Sequence, residues 1–306
     1  MPRHLHFVLG VLACTALLLT TATSHAQTLY IADAGRNTVT ALDAGTGSAL
    51  PDFSNPSGLN FPEGIAISGD TLYVANYYAK SVSTYDALTG AILTSSLIST
   101  GSANPVGIAL GDNILYVVNF SGNLTAYNAL SGAPLAGFSS GLTSGQTYGL
   151  AVSSNTLYVI YNSSVETLNA TTGAVINASF ITGLTKPFNL IVSGNSLYLA
   201  SIGGANTVTE YDASTGSLIP SFQSPSGLQS PTGLALVGNT LYIANNGNGD
   251  IGAYNASTGA TINATYASGF GTPQFIAASA PEPSTWALLL AGAASLFVFL
   301  RKRSIR

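Results

Sequence analysis

Between residues 27 and 280 the apolar positions come in short Val, Ile, Leu and Tyr runs, some continuous and some alternating, set between clusters of Gly, Asn, Asp and Ser. That spacing predicts strands and excludes helical repeats. One phrase recurs six times, beginning at Leu29-Tyr30, Leu72-Tyr73, Leu115-Tyr116, Leu157-Tyr158, Leu197-Tyr198 and Leu241-Tyr242. The steps between its Leu positions are 43, 43, 42, 40 and 44 residues. A period near 42 in a β-rich chain predicts an all-β, six-bladed β-propeller with one four-stranded blade per repeat.

Each repeat resolves into strands A to D. Strand A reads Pro-x-Gly-Ile-Ala, as in Pro62–Ile67, Pro105–Leu110, Tyr148–Val152, Pro187–Val192 and Pro231–Leu236; its near-continuous apolar run suits the buried innermost position. Strand B is the Leu-Tyr phrase. The pairs Gly69-Asp70, Gly111-Asp112, Ser154-Asn155, Gly194-Asn195 and Gly238-Asn239 tolerate the positive φ of tight hairpins and make A and B antiparallel neighbours. Strand C, such as Ser81–Tyr85 or Thr207–Tyr211, alternates and ends in an Asx…Gly turn: Asp43…Gly47, Asp86…Gly90, Asn128…Gly132, Asn169…Gly173, Asp212…Gly216 and Asn255…Gly259. Each turn offers one side-chain acceptor, which suits a hairpin and not a calcium site.

The repeats are out of phase with the segment. It opens on a strand B, and a lone strand A, Pro273-Gln274-Phe275-Ile276-Ala277, follows the sixth set. The expectation is that this last strand completes the first blade and removes both sheet edges. Both ends of the propeller then leave one face, the lower one. The starts of A and the ends of B form the upper rim.

Composition removes whole classes of chemistry. Residues 27–280 hold no His, Cys, Met or Trp, which excludes disulfides, His/Cys zinc sites, His-dependent triads and cysteine nucleophiles. They hold three cations (Arg36, Lys80, Lys186) against eleven carboxylates, too few for a nucleic-acid backbone.

The ends read as addresses. In residues 1–26, Arg3 precedes the apolar run Phe7–Leu19, and Ser24-His25-Ala26 marks a signal-peptidase cut. That run is shorter than the ~20 residues a membrane span needs. Leu12 is too bulky for a lipoprotein box at Cys14. Residues 281–306 open with Pro281-Glu282-Pro283, continue as the apolar run Trp286–Leu300 and close with Arg301-Lys302-Arg303. As a helix the run rises about 22 Å and anchors in the membrane with its basic end cytoplasmic. This ordered trio resembles the PEP-CTERM sorting signal. The resemblance implies an exosortase partner in a Gram-negative bacterium, with Pro281, Glu282 and Pro283 recognised by that enzyme, and a destination at the cell surface or in the extracellular matrix.

The repeats themselves resemble the YVTN and NHL propellers, through Leu72-Tyr73-Val74-Ala75-Asn76, Ser81-Val82-Ser83, Asp86…Thr89-Gly90 and Pro105-Val106-Gly107-Ile108-Ala109. That likeness speaks for fold and not for activity. On the predicted rim, Glu63, Asn76, Tyr78, Asn119, Tyr148, Tyr161, Asn245 and Gln274 are candidate binding residues, with Tyr77, Phe120, Asn162, Phe188 and Asn246 beside them. Aromatic rings and amides suit polysaccharide or surface-protein ligands. Glu63 breaks the repeat: its equivalents are Val106, Tyr148, Phe188, Thr232 and Gln274. With Asp33, Asn76 and Asn119 it could hold Ca²⁺, as gluconolactonase-like propellers hold a divalent metal over the axis with Glu, Asn and Asp. Two functions follow as expectations: a binding or structural surface module without cofactor, or a metal-dependent lactonase-like hydrolase.

Overall fold

The computed structural model describes residues 27–142 and 145–279. The signal segment 1–26, the sorting segment 281–306 and the apolar helix expected over 286–300 lie outside the described residues. Among the described residues there is no helix long and apolar enough to cross a membrane.

Among the described residues, twenty-one strands form six antiparallel sheets, and they follow the predicted A-to-D order. The first blade holds β1 (Thr28–Asp33) and β2 (Thr38–Asp43). The second holds β3 (Pro62–Ser68), β4 (Thr71–Asn76), β5 (Ser81–Asp86) and β6 (Ile92–Ser99). β7 (Pro105–Gly111), β8 (Ile114–Asn119) and β9 (Leu124–Asn128) make the third. The fourth comprises β10 (Thr147–Ser153), β11 (Thr156–Tyr161), β12 (Ser164–Asn169) and β13 (Val175–Ile181). β14 (Pro187–Ser193), β15 (Ser196–Ser201) and β16 (Thr207–Asp212) form the fifth. The sixth has β17 (Pro231–Val237), β18 (Thr240–Asn245), β19 (Asp250–Asn255) and β20 (Thr261–Ala267). Finally β21 (Pro273–Ala278) returns to the first blade and pairs with β1.

That last pairing runs from Leu29↔Ala278 to Asp33↔Pro273 and closes the ring as the phase of the repeats predicts. The innermost strands then contact one another in a circle: β21, β3, β7, β10, β14, β17 and back to β21. The Ser279 amide donates to the Thr28 carbonyl (2.9 Å) and the Thr28 amide to Ser279 Oγ (2.8 Å), so both ends of the propeller leave the lower face together.

The recurring Tyr of strand B explains why the phrase repeats. Tyr30, Tyr116, Tyr158, Tyr198 and Tyr242 each donate their hydroxyl to an Ala carbonyl just after the Asx of the next blade: Ala87, Ala170, Ala213, Ala256 and Ala44. The ring body fills the gap between blades and the hydroxyl satisfies a buried carbonyl, so one residue type does both jobs. The Asx turns behave as expected. In all six, the Asx Oδ1 accepts the backbone amides two and three residues on. The closing glycines have φ between 68° and 78°. The A–B turn of the third blade is Asp112-Asn113, one residue later than predicted, because Gly111 stays in the ladder opposite Ile114. Gly107, in the Pro-x-Gly phrase, is required by crowding: a Cβ there would lie 2.2 Å from the Tyr148 carbonyl of the next inner strand.

One feature was not predicted. The second, fourth and sixth sheets have four strands; in the others the outermost strand shrinks to a single bridge, Leu42↔Ala49, Tyr127↔Pro134 or Tyr211↔Leu218. In those three blades a longer loop takes over. Its Phe53, Phe138 or Phe222 packs against the strand-B Tyr of the same blade at 5.7–5.9 Å. Its next residue donates a backbone bond to the Asx turn of the following blade, as Ser54 to Thr89, Ser139 to Thr172 and Gln223 to Thr258. The true repeat is therefore a pair of blades, used three times.

Candidate functional site at the upper end of the channel

The second residue of each inner strand is Glu63, Val106, Tyr148, Phe188, Thr232 or Gln274, and the circle of strands carries these six around the axis. Two of the six are aromatic, and further rings join them. Tyr148 and Phe188 lie 5.2 Å apart between ring centroids, and Phe188 and Phe275 lie 5.9 Å apart. Outward from Tyr148 the series continues through Phe120 at 5.7 Å and Tyr77 at 6.4 Å. Tyr77 meets Tyr78 at 5.1 Å, and Phe61 touches both. Phe188 and Phe275 are buried, while Phe120 is 37% and Tyr78 60% exposed. The result is an arc of seven rings that climbs from inside the channel to the surface.

Glu63 sits within this arc and is only 7% exposed. Burial pushes its carboxyl up to about 8. Burial, and then the Glu63 charge, raise the hydroxyls of Tyr77 and Tyr148. Two acceptors have no donor: Gln274 Oε1 in this circle and Asn119 Oδ1 at the end of β8 are buried without a hydrogen-bond partner. Buried acceptors left this way are uncommon.

The other rim amides have structural work. Asn76 Oδ1 accepts from the Asn60 amide (3.0 Å) and its Nδ2 donates to Ser83 Oγ (3.1 Å). Asn245 Oδ1 accepts from the Gln229 amide and Asn162 Oδ1 from the Gln146 amide. Each latches the segment that turns into the inner strand of its own blade. Asp33 does the same across the closure, accepting from the Gly271 (2.6 Å) and Thr272 (2.8 Å) amides and from Arg36 (3.3 Å). Tyr161 is buried at the end of β11, against Gly145.

Of the predicted binding residues, the structure thus brings Glu63, Tyr148 and Gln274 to the mouth, with Tyr78 on the arc's outer end. Asn76, Asn119, Tyr161 and Asn245 end the second strands of four separate blades. Of the four oxygen ligands proposed for Ca²⁺, Asp33 and Asn76 already serve backbone donors. Among the described residues no three His, Cys, Asp or Glu side chains gather as a metal cluster. Asp33→Ala is expected to cost about 3 kcal/mol, read as a fall in the urea midpoint, because three backbone amides lose a fully buried carboxylate.

Phe61 and Phe275 were not anticipated as parts of the site. Phe61 precedes the Pro that opens β3 and holds a φ of 59°, which directs its ring toward Tyr77 and Tyr78. The opposite end of the channel is an open funnel of about 380 Å³ lined by Ile65, Ala109, Leu150, Leu190, Leu234 and Ile276 among others. Its side chains are almost all aliphatic, and its polar surface comes chiefly from the backbone.

The comparisons agree with this picture. The propeller superposes with TM-score 0.62 on a chain of a nidogen/laminin complex, at 14% identity over 83% of this chain and 99% of that one. A protein of unknown function from Bacteroides caccae gives 0.61 at 15% identity, over 83% and 98%. The computationally designed Ika8 protein gives 0.51 at 18% identity, over 80% and 73%. These likenesses establish the fold. No curated protein matches the chain. Residues 279–304 match the PEP-CTERM protein-sorting motif, so the propeller is exported and sorted by exosortase to the cell surface of a Gram-negative bacterium. Residues 121–284, more than half of the chain, match the repeat family described as outer membrane protein assembly factor BamB, and the chain belongs to that family.

Proposed function

We propose that this surface-sorted propeller is a glycan-binding module, and that the aromatic arc at its upper end is the contact surface. The observation that carries this reading is the run of rings from exposed Tyr78 inward to Phe275. Sugar rings present apolar faces that stack on aromatic rings, and their hydroxyls supply donors of the kind Asn119 Oδ1 and Gln274 Oε1 lack. Position supports it as well. The chain enters and leaves the propeller at the lower face, while the arc occupies the upper one. An exopolysaccharide at the cell surface is the ligand class that fits both the sorting and the arc.

A glycan array probed with residues 27–280 tests the proposal. We expect binding to at least one polysaccharide class, and a loss of more than tenfold in the double variant Tyr78→Ala, Phe120→Ala. Absence of binding to every glycan, or binding untouched by that variant, overturns it.

A further inference from the structure

We infer that the upper end of the channel takes an ammonium group carried on a sugar, an amino sugar with a free amine, with Glu63 as its counter-charge. This rests on the glycan-binding reading and narrows it to one ligand class.

Three independent features ask for the same thing. First, Glu63 is the one carboxylate among six equivalent positions, it is nearly buried, and among the described residues it has no Lys or Arg partner. A buried carboxylate without a partner is costly, and a ligand cation would supply one. Second, Gln274 Oε1, at the equivalent position on the inner strand beside Glu63's, is a buried acceptor awaiting a donor, and an ammonium carries three N–H groups. Third, Tyr148 holds the position equivalent to Glu63 in the same circle of inner strands, and aromatic faces attract cations. A neutral sugar would satisfy the rings and the amide but leave Glu63 unexplained. An acidic sugar would bring further negative charge to a propeller with eleven carboxylates against three cations.

The pairing has a proton signature. Burial keeps Glu63 protonated in the empty site near neutral pH, and an arriving ammonium favours its ionised form. Binding therefore releases one proton from the Glu63 carboxyl to solvent. Tyr77 and Tyr148 are the titratable groups that sense its charge, and both stay neutral in this range.

The test is calorimetric titration of the full chain at pH 6.5 with a glucosamine hexamer, its fully N-acetylated counterpart and methylammonium chloride. Expected is at least tenfold tighter binding of the free-amine hexamer than of the acetylated one, with a heat that varies with the buffer's ionisation enthalpy, as proton release requires. Glu63→Gln should abolish both the preference and the buffer dependence, while Tyr78→Ala weakens the two hexamers alike. Equal binding of both hexamers, or a preference retained in Glu63→Gln, overturns the ammonium assignment and leaves the glycan-binding reading standing. Methylammonium binding as tight as the hexamer's overturns the sugar half. Failure of both hexamers to bind sinks this inference, and only a blank array sinks the broader reading with it.

Discussion

Glu63→Gln is expected to raise the melting temperature by roughly 10 °C at pH 9 while changing it by no more than about 2 °C at pH 4. The folded protein holds this carboxyl at about 8, against an ordinary 4.5 in the unfolded chain, because burial disfavours the ionised form. Below 4.5 both states are protonated and the residue is neutral in its effect. Between 4.5 and 8 the unfolded chain releases the proton and the folded one keeps it, so stability falls as pH rises. Above 8 the whole penalty is present, on the order of 5 kcal/mol. Gln has the same shape and never ionises, so the variant escapes that penalty. Thermal melts of both proteins at pH 4, 6 and 9 check the sign. Curves that shift in parallel at every pH would show that Glu63 is not desolvated in the folded protein.

The second large effect concerns the closing strand. A chain ending at Thr272 is expected to lose its cooperative thermal transition. β21 pairs with β1 along its whole length, and its side chains serve two cores: Phe275 packs in the cluster with Tyr30, Ile65 and Phe188, and Ile276 in the one with Leu29, Ile31 and Tyr242. Removing it strips β1 of one neighbour, opens two hydrophobic clusters and separates the sixth blade from the second. A domain of this size has a net stability of only about 5–15 kcal/mol, and two opened clusters exceed that margin. Circular dichroism melts of the shortened chain, with Ile276→Asp as a milder companion, provide the check. A sharp transition in the shortened chain would show that the ring does not depend on its seal.

The fold was legible because its determinants are local and repeated. The Leu-Tyr phrase, the Asx…Gly turn and the Pro-x-Gly start each have one physical job per blade, and six copies make the period plain. Even the closure could be read, from a strand A left over at the end. The alternation of blades was missed because it lies in the loops. Phe53, Phe138 and Phe222, at steps of 85 and 84 residues, were its visible signal, hidden by attention to the shorter period.

The site was legible only in part. Glu63 stood out because it breaks the repeat, and the structure places it, nearly buried, in the circle of inner strands around the axis. The Asn residues misled for the opposite reason. A residue type that recurs at strand ends belongs to the repeat, and Asn76 and Asn245 spend their amides on backbone latches. Whether such an amide is free depends on which N–H the incoming loop offers, and that is fixed by chain geometry far from the Asn itself. Asn119 is the exception that proves informative, since its blade leaves Oδ1 unmet. The repeat phrase announced a propeller and pointed to the YVTN and NHL families, whereas the family model that matches is the one described as outer membrane protein assembly factor BamB.

The paired blades have a consequence for assembly. Every junction in the ring is of one of two kinds: a long loop clasping the turn ahead of it, or an outer strand lying against that turn, as Ser54 against Gly90 and Leu97 against Gly132. Two consecutive blades contain one of each, and so carry every complementary surface a full circle needs. Three separate copies of such a fragment would have the means to find one another and rebuild the ring as a trimer, with the covalent chain serving as a tether instead of a blueprint.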